Sequence, residues 1–431
     1  MFRFFKMLMV GILVSMFLFP FEFSFLPGIN TKMAMAGFGL AVVLYYLIRR
    51  RQLEIPQSLL GVLLCCSMVS VVGFLSTTYN NTHDYTYTTY IVSASVWLSA
   101  AFVVYTAILA LHGRVDYKIV ITYLTAVCVF QCVISLVIDN VPAVQDFVDR
   151  WVLQGQSFLK RVHRLYGIGA SLDVAGMRFS AMLVLISLLL YYESDSMSTQ
   201  AIFGFILSYL LIFIIGSIIA RTTVVGFVGL GISLLAHYGK GLRDRNIEVR
   251  RSPVIRSILL AAAIAIPICV TLYNTNRVAH KYMRFGFEGF FSLVEKGRWE
   301  TTSNETLEGM IVYPDNPKTW IIGDGYFESA RGDINFLGDT SRDSGYYMGT
   351  DIGYLRFIFY FGVIGLFAMS LVILYTAYAS AQIDREHSLY FWAVALVGFI
   401  VWFKVSSDIF SILCLLLCVA NSSKNELPEA E

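Results

Sequence analysis

Charge is scarce in this chain: Asp, Glu, Lys and Arg make up 14% of its 431 residues, where a soluble domain carries about 25%. The deficit is uneven, because apolar runs of about 16 to 22 residues, each long enough to cross a bilayer, recur along nearly the whole length. Hydrophobic residues reach 57% and the mean hydropathy is +0.67. A soluble enzyme, a disulfide-rich secreted domain and a disordered chain are all excluded. Metal-ligand spacing is lacking too. There is no CxxC…CxxC or HExxH, and the six histidines are scattered, so neither a metal nor another cofactor is expected. The seven cysteines (65, 66, 128, 132, 269, 414 and 418) all lie in apolar runs. The pairs Cys128/Cys132 and Cys414/Cys418 share helix faces, but buried Cys ordinarily behaves as a small hydrophobe.

What is present reads as an all-α polytopic membrane protein, a single integral membrane domain over 1–431 with about twelve transmembrane helices. The expected spans are 7–25, 33–48, 58–76, 90–111, 118–138, 175–192, 201–219, 222–237, 255–273, 351–378, 389–404 and 407–420. Arg3 and Lys6 precede the first apolar run as in a signal peptide. That run is long and no small-x-small site follows it, so it counts as a span. The net charge of +2 matters less than where the basic residues fall. Arg3 and Lys6, then Arg49, Arg50 and Arg51, then Lys240, Arg243, Arg245, Arg250 and Arg251 all fall on one side if even numbers of spans separate them. Both termini are then cytoplasmic. The loops 139–174 and 274–350 face outward, which in a diderm bacterium is the periplasmic side of the inner membrane.

Within those loops, 144–163 and 281–300 repeat apolar residues at a helical period (Val144, Phe147, Val148, Trp151, Val152; then Met283, Phe287, Phe290, Phe291, Val294). Both suit amphipathic helices lying in the interface among membrane lipids. No internal repeat appears, and no matched pair of Gly/Pro-interrupted spans, which weighs against a secondary transporter.

Charges inside or bordering apolar spans are expensive and need a reason. Arg221 interrupts "IIGSIIARTTVVGFVGLG" with Thr222 and Thr223 beside it. It either snorkels from a short outward turn or presents a guanidinium that binds phosphate bidentately. Arg164 lies in "RLYGIGASLDVAGMRFSAM", a Gly-rich approach to a span that also holds Asp173 and Arg178. Asp351 opens "DIGYLRFIFYFGVIGL", with Tyr347 and Tyr354 nearby. There it is either a helix cap, as Thr350 also is, or a well-placed base. "GDGYF" at 323–327 is by itself a turn signal. The outward loops further hold Arg284, Arg331 and Arg342. Basic residues bordered by aromatic helices suit a lipid-linked anion such as a polyprenyl pyrophosphate, and aromatic faces suit sugars. Nothing suggests a nucleic-acid partner.

The order of short motifs resembles the O-antigen ligase and O-antigen polymerase superfamily of bacterial envelope-glycan enzymes. It runs R-x-x-G before a span (Arg164, Gly167), then A-R-T between two spans (Arg221). A long outer loop follows, ending in G-x-G (Gly323, Gly325), an acid (Asp351), Gly353-Tyr354-Leu355 and a GxxG (Gly362, Gly365). The correspondence covers about residues 160–370. It implies a GT-C type glycosyltransferase working on the periplasmic face without a metal. Arg164 and Arg221 match arginines that bind the pyrophosphate of an undecaprenyl-linked glycan donor. Arg178, Arg284, Arg331, Arg342, Tyr347 and Tyr354 are further candidate substrate contacts. Ligases of the superfamily carry histidine where this chain has Asp351, which favours the polymerase branch. Asp351 is then the expected base toward the acceptor sugar, and a chain-length regulator a possible partner. The ligase reaction, onto lipid A-core or another envelope acceptor, is the alternative within the superfamily. A non-catalytic transporter or flippase of lipid-linked glycans is the rival from another class.

Overall fold

The computed structural model describes residues 2–50, 56–161, 164–244, 253–334, 336–343 and 345–426. Arg51, Arg245, Arg250 and Arg251 of the basic clusters expected on the cytoplasmic side lie outside the described residues. Among the described residues the fold is all-α apart from two strands of two residues each. Among the described residues, seven helices are long and apolar enough to cross a membrane: Gln57–Asn80, Tyr90–His112, Tyr117–Asn140, Leu172–Ser196, Thr199–Ile219, Arg256–Thr275 and Gly353–Ile383. Shorter apolar helices follow at Thr31–Tyr45, Arg221–Ala236, Ser388–Val401 and Phe410–Ser422. Seven such helices make this a multi-pass membrane protein by length and composition. Helices are the form that runs of Leu, Ile, Val and Phe take in lipid, because each helix satisfies its own backbone hydrogen bonds.

Several boundaries differ from the sequence expectation, each for a visible reason. The first apolar helix, Phe2–Leu18, stops well short of 25. Pro20 follows it, lacking an N–H and disfavouring helix in the residue before it. Glu22–Phe23 then forms a strand antiparallel to Val152–Leu153. That pairing also splits the expected 144–163 helix into Pro142–Trp151 and Gln156–Arg161. Segment 281–300 is likewise two helices, Arg277–Gly286 and Glu288–Lys296, with Phe287 off helical geometry between them. The Asn276 side chain caps the first by accepting from the Val278 and Ala279 amides. Segment 222–237 begins as a 3-10 turn, Arg221–Gly226, before the helix Phe227–Asp244.

The chain divides into two compact units, the first of Met1–Met35 and Val103–Trp299, the second of Ala36–Phe102 and Glu300–Glu429. In the first, Leu172–Glu193 is the central helix: 83% of its apolar window is buried, against 6% for Arg256–Thr275. Small residues let neighbours close on it. A Cβ at Gly176 would stand 2.8 Å from the Ala220 Cβ and 2.9 Å from the Thr222 Cβ, so glycine permits the Arg221 turn to pack directly on this helix. Gln131, fully buried on Tyr117–Asn140, accepts from Ile168 N (2.9 Å) and donates to Ile168 O (3.0 Å) and Ser15 Oγ (3.2 Å). It thereby holds the 164–170 segment as a strand partner would.

The second unit is organised by Gly353–Ile383, which packs on Gln57–Asn80, Pro317–Ile322, Ser388–Val401 and Phe410–Glu426. This helix is interrupted at Phe361 and Gly362, the latter at φ 70° and ψ −171°. The interruption frees carbonyls that apolar surroundings cannot solvate. The 323–325 turn satisfies them: Asp324 N donates to Phe359 O (2.6 Å) and Gly325 N to Tyr360 O (3.0 Å). Ser76 Oγ donates to Tyr360 O as well (2.7 Å). A Cβ on Gly362 would lie 2.1 Å from Ile321 O, so only glycine fits. The "GDGYF" turn is thus a plug for a broken membrane helix.

Candidate functional site

In the first unit, Ala220 goes extended (φ −152°, ψ 121°) after Thr199–Ile219 and presents Arg221 at the head of the 3-10 turn. Its Nε donates to Phe285 O at 3.0 Å and its Nη1 stands 2.7 Å from Glu288 Oε2. The guanidinium lies over the Phe285 ring, 4.1 Å from its centroid. Arg164 brings a second guanidinium to the same ring, at 4.8 Å. Two cations therefore share one aromatic ring, which attracts each of them while they repel one another. Burial lowers the Arg221 guanidinium from its usual value; Glu288 opposes that shift, Arg164 adds to it, and Asp173 opposes it. Beside it the Thr222 hydroxyl donates to Asp173 Oδ1, and Thr222 O accepts from Ser180 Oγ (2.7 Å).

The segment that carries Arg164 is tied to the helix before it. The Tyr166 hydroxyl donates to Asp149 Oδ1 (2.9 Å), and Lys160 pairs with the same carboxylate at 2.5 Å. Burial first, and the Asp149 hydrogen bond second, push the Tyr166 phenol up to about 12, so it remains a donor. The other first-unit candidates are not drawn to Phe285. Arg178, on the central helix, sits over Phe19 at 5.7 Å. Arg284 pairs with Glu295 at 2.5 Å and lies over Phe291 at 4.7 Å.

The second unit holds Asp351, and the capping expectation is corrected there. Gly353–Ile383 has Ile352 at its N-cap with no side-chain cap, and Thr350 Oγ1 accepts from Ile352 N (3.3 Å). Asp351 instead faces Arg356, with Oδ1 at 3.7 Å from Nη1. Arg356 is only 6% exposed. It lies between the Phe327 and Tyr346 rings, at 3.6 and 4.2 Å. It donates to Ser406 Oγ (3.0 Å), Phe327 O (3.0 Å) and Glu328 Oε1 (2.9 Å). The two tyrosines expected beside Asp351 direct their hydroxyls elsewhere. Tyr347 donates to Asp324 Oδ2 (3.3 Å) and Tyr354 to Phe399 O (2.9 Å). Arg331 donates to Thr340 O (3.2 Å), and Arg342 is exposed near Asp339.

Sequence reasoning passed over Phe285, Glu288 and Arg356. Arg356 had a signal, being a charge within an apolar span. Phe285 had none, because nothing local distinguishes it from the nearby Phe287, Phe290 and Phe291. Among the described residues, no group of three His, Cys, Asp or Glu side chains is placed to hold a metal. No family model, curated protein or solved structure matches this chain.

Proposed function

We propose that this protein is a glycosyltransferase of the bacterial inner membrane. With about twelve spans and both termini cytoplasmic, it moves an undecaprenyl-pyrophosphate-linked glycan onto a sugar hydroxyl at the periplasmic face. The favoured reaction is polymerisation of O-antigen or of capsule or exopolysaccharide repeat units. The observation that carries the reading is the pair of guanidiniums on Phe285. Two like charges on one ring are held by the fold against their repulsion, and a dianionic group relieves it while accepting bidentate hydrogen bonds. Pyrophosphate is such a group, and as a good leaving group it needs charge stabilisation more than protonation. Glu288 occupies one edge of Arg221 and gives way when the donor binds.

On the acceptor side, Asp351 is already charge-balanced by Arg356. It accepts a hydrogen bond from the sugar hydroxyl and orients it, and Arg356 with its two flanking rings sets the carboxylate's position. The test uses the full-length protein in lipid nanodiscs with lipid-linked glycan extracted from membranes of the producing strain. Glycan growth together with release of undecaprenyl pyrophosphate is the expected result. Retention of every glycan on its original lipid overturns the reading.

A further inference from the structure

We propose that the helix Arg277–Gly286 carries a docking site for an anionic phospholipid. Arg277 and Lys281 hold its phosphate while its acyl chains lie along Arg256–Thr275. The site rests on the membrane class of the protein and does not depend on glycosyl transfer.

All of its parts belong to the first unit. Arg256–Thr275 has only 6% of its apolar window buried, and Ile264, Ile266, Ile268, Val270 and Leu272 are exposed along it. In a membrane, acyl chains cover such a surface, because lipid tails are as apolar as these side chains. One residue further on, Asn276 caps the next helix, which packs on Thr199–Ile219. A Cβ at Gly286 would stand 3.1 Å from Ile218 Cγ1 and 3.2 Å from Ser217 O. Gly286 therefore marks the inner face, which Met283 and Ala279 share by helical spacing. The opposite face carries Arg277, His280, Lys281 and Arg284, the first three of them exposed.

His280 joins this basic face to the lipid-facing helix. Its ring is stacked on Tyr273 with centroids 4.1 Å apart, and its Nδ1 donates to Tyr273 O at 3.2 Å. Cations and open apolar surface are thus adjacent, as are the head and tails of a phospholipid. The nearby carboxylates are engaged: Glu295 pairs with Arg284 at 2.5 Å, Glu288 with Arg221 at 2.7 Å, and Asp139 accepts from the Tyr282 hydroxyl at 2.8 Å. Among the described residues, neither Arg277 nor Lys281 has a carboxylate partner.

The next helix, Glu288–Lys296, extends the apolar part. Phe290, Leu293 and Val294, at i, i+3 and i+4, are exposed on it, Val294 to 86%. Trp299, also exposed, lies edge-on to Phe290 at 5.0 Å. An apolar strip with tryptophan beside it belongs at headgroup depth. A soluble anion would leave that strip in water, whereas one phosphate with two acyl chains complements both the charge and the strip.

Native mass spectrometry of the full-length protein in detergent reads the retained lipid, with phosphatidylglycerol or phosphatidylcholine of the same chains added. A basic residue at headgroup level contributes about a fivefold preference for anionic lipid. Phosphatidylglycerol is therefore expected to bind about 25-fold more tightly and to raise the melting temperature. Arg277→Gln and Lys281→Gln should each lower the preference about fivefold. Together they should remove it, with melting in phosphatidylcholine as in the wild type. The charge-keeping pair Arg277→Lys with Lys281→Arg should retain it. Equal retention of the two lipids by the wild type overturns the assignment, as does an unchanged preference in the double Gln variant or its loss in the charge-keeping one. Displacement of phosphatidylglycerol by millimolar inorganic phosphate also overturns it and makes this a site for a soluble anion. A dimer that the double Gln variant abolishes, with both lipids retained alike, overturns it in favour of a second copy of this chain.

Discussion

Arg221→Lys keeps a positive charge at the helix break and removes the planar fork. In the wild type, Nε reaches Phe285 O at 3.0 Å, Nη1 reaches Glu288 at 2.7 Å, and the guanidinium face lies 4.1 Å from the Phe285 centroid. A lysine ammonium has one nitrogen, so it cannot hold the backbone carbonyl and the carboxylate in their present directions, and it has no flat face for the ring. If Arg221 donates two bonds to pyrophosphate, the variant loses one charge-assisted bond, about 1.5–3 kcal/mol. That converts to a fall of roughly 10–150-fold in kcat/KM. Arg221→Ala, which also loses the charge, is expected to fall further. The assay is glycan laddering in a deletion strain complemented with each variant, with membrane levels matched by immunoblot, backed by kcat/KM in nanodiscs. The stack on Phe285 offers an internal control. Phe285→Leu removes the cation–π attraction, worth about 0.5–2 kcal/mol to each guanidinium, and should raise KM for the donor while changing kcat little. A kcat/KM for Arg221→Lys within threefold of wild type refutes the bidentate reasoning.

Asp351→Asn keeps size and one acceptor oxygen, so it should fold and raise KM for the acceptor about tenfold or less; a hundredfold fall in kcat would instead make Asp351 the base. Gln131→Leu strands the Ile168 amide and carbonyl in apolar surroundings at about 1–3 kcal/mol for each unsatisfied group. Its melting temperature and donor affinity should therefore fall together, and unchanged values of both would show that the 164–170 segment is held by other contacts. Gly362→Ala forces a side chain into a left-handed backbone against Ile321 O, which exceeds the about 1–3 kcal/mol of strain alone. The protein should fail to accumulate in membranes, and a normal melting curve would contradict that. Cysteine placed at Ser329 should react with an impermeant thiol reagent in outer-membrane-permeabilised cells while cysteine at Asn246 does not; labelling at Asn246 without lysis would reverse the orientation.

The membrane class was legible because hydropathy is a property of each run by itself. Gln57–Asn80, Tyr90–His112, Tyr117–Asn140 and Thr199–Ile219 fall within a few residues of their expected limits, since an apolar segment in lipid has few alternatives to a helix. The break at Arg221 was legible for the same reason: a lone charge in an apolar run costs too much to be placed without cause. What the sequence could not contain is contact between residues distant along the chain. Val152 continues a helical period, yet pairs with Phe23 as a strand, because a partner about 130 residues away competes for its backbone. Asp351 carries the signature of a cap, yet faces Arg356, and only the folded second unit decides which of its neighbours it meets. Phe285 shared by two guanidiniums and Asp333 contacted by both His83 and Tyr326 are likewise tertiary facts. Hydrophobic burial depends on composition and period and can be read from one segment, whereas a site depends on directions and distances that exist only once several segments are packed.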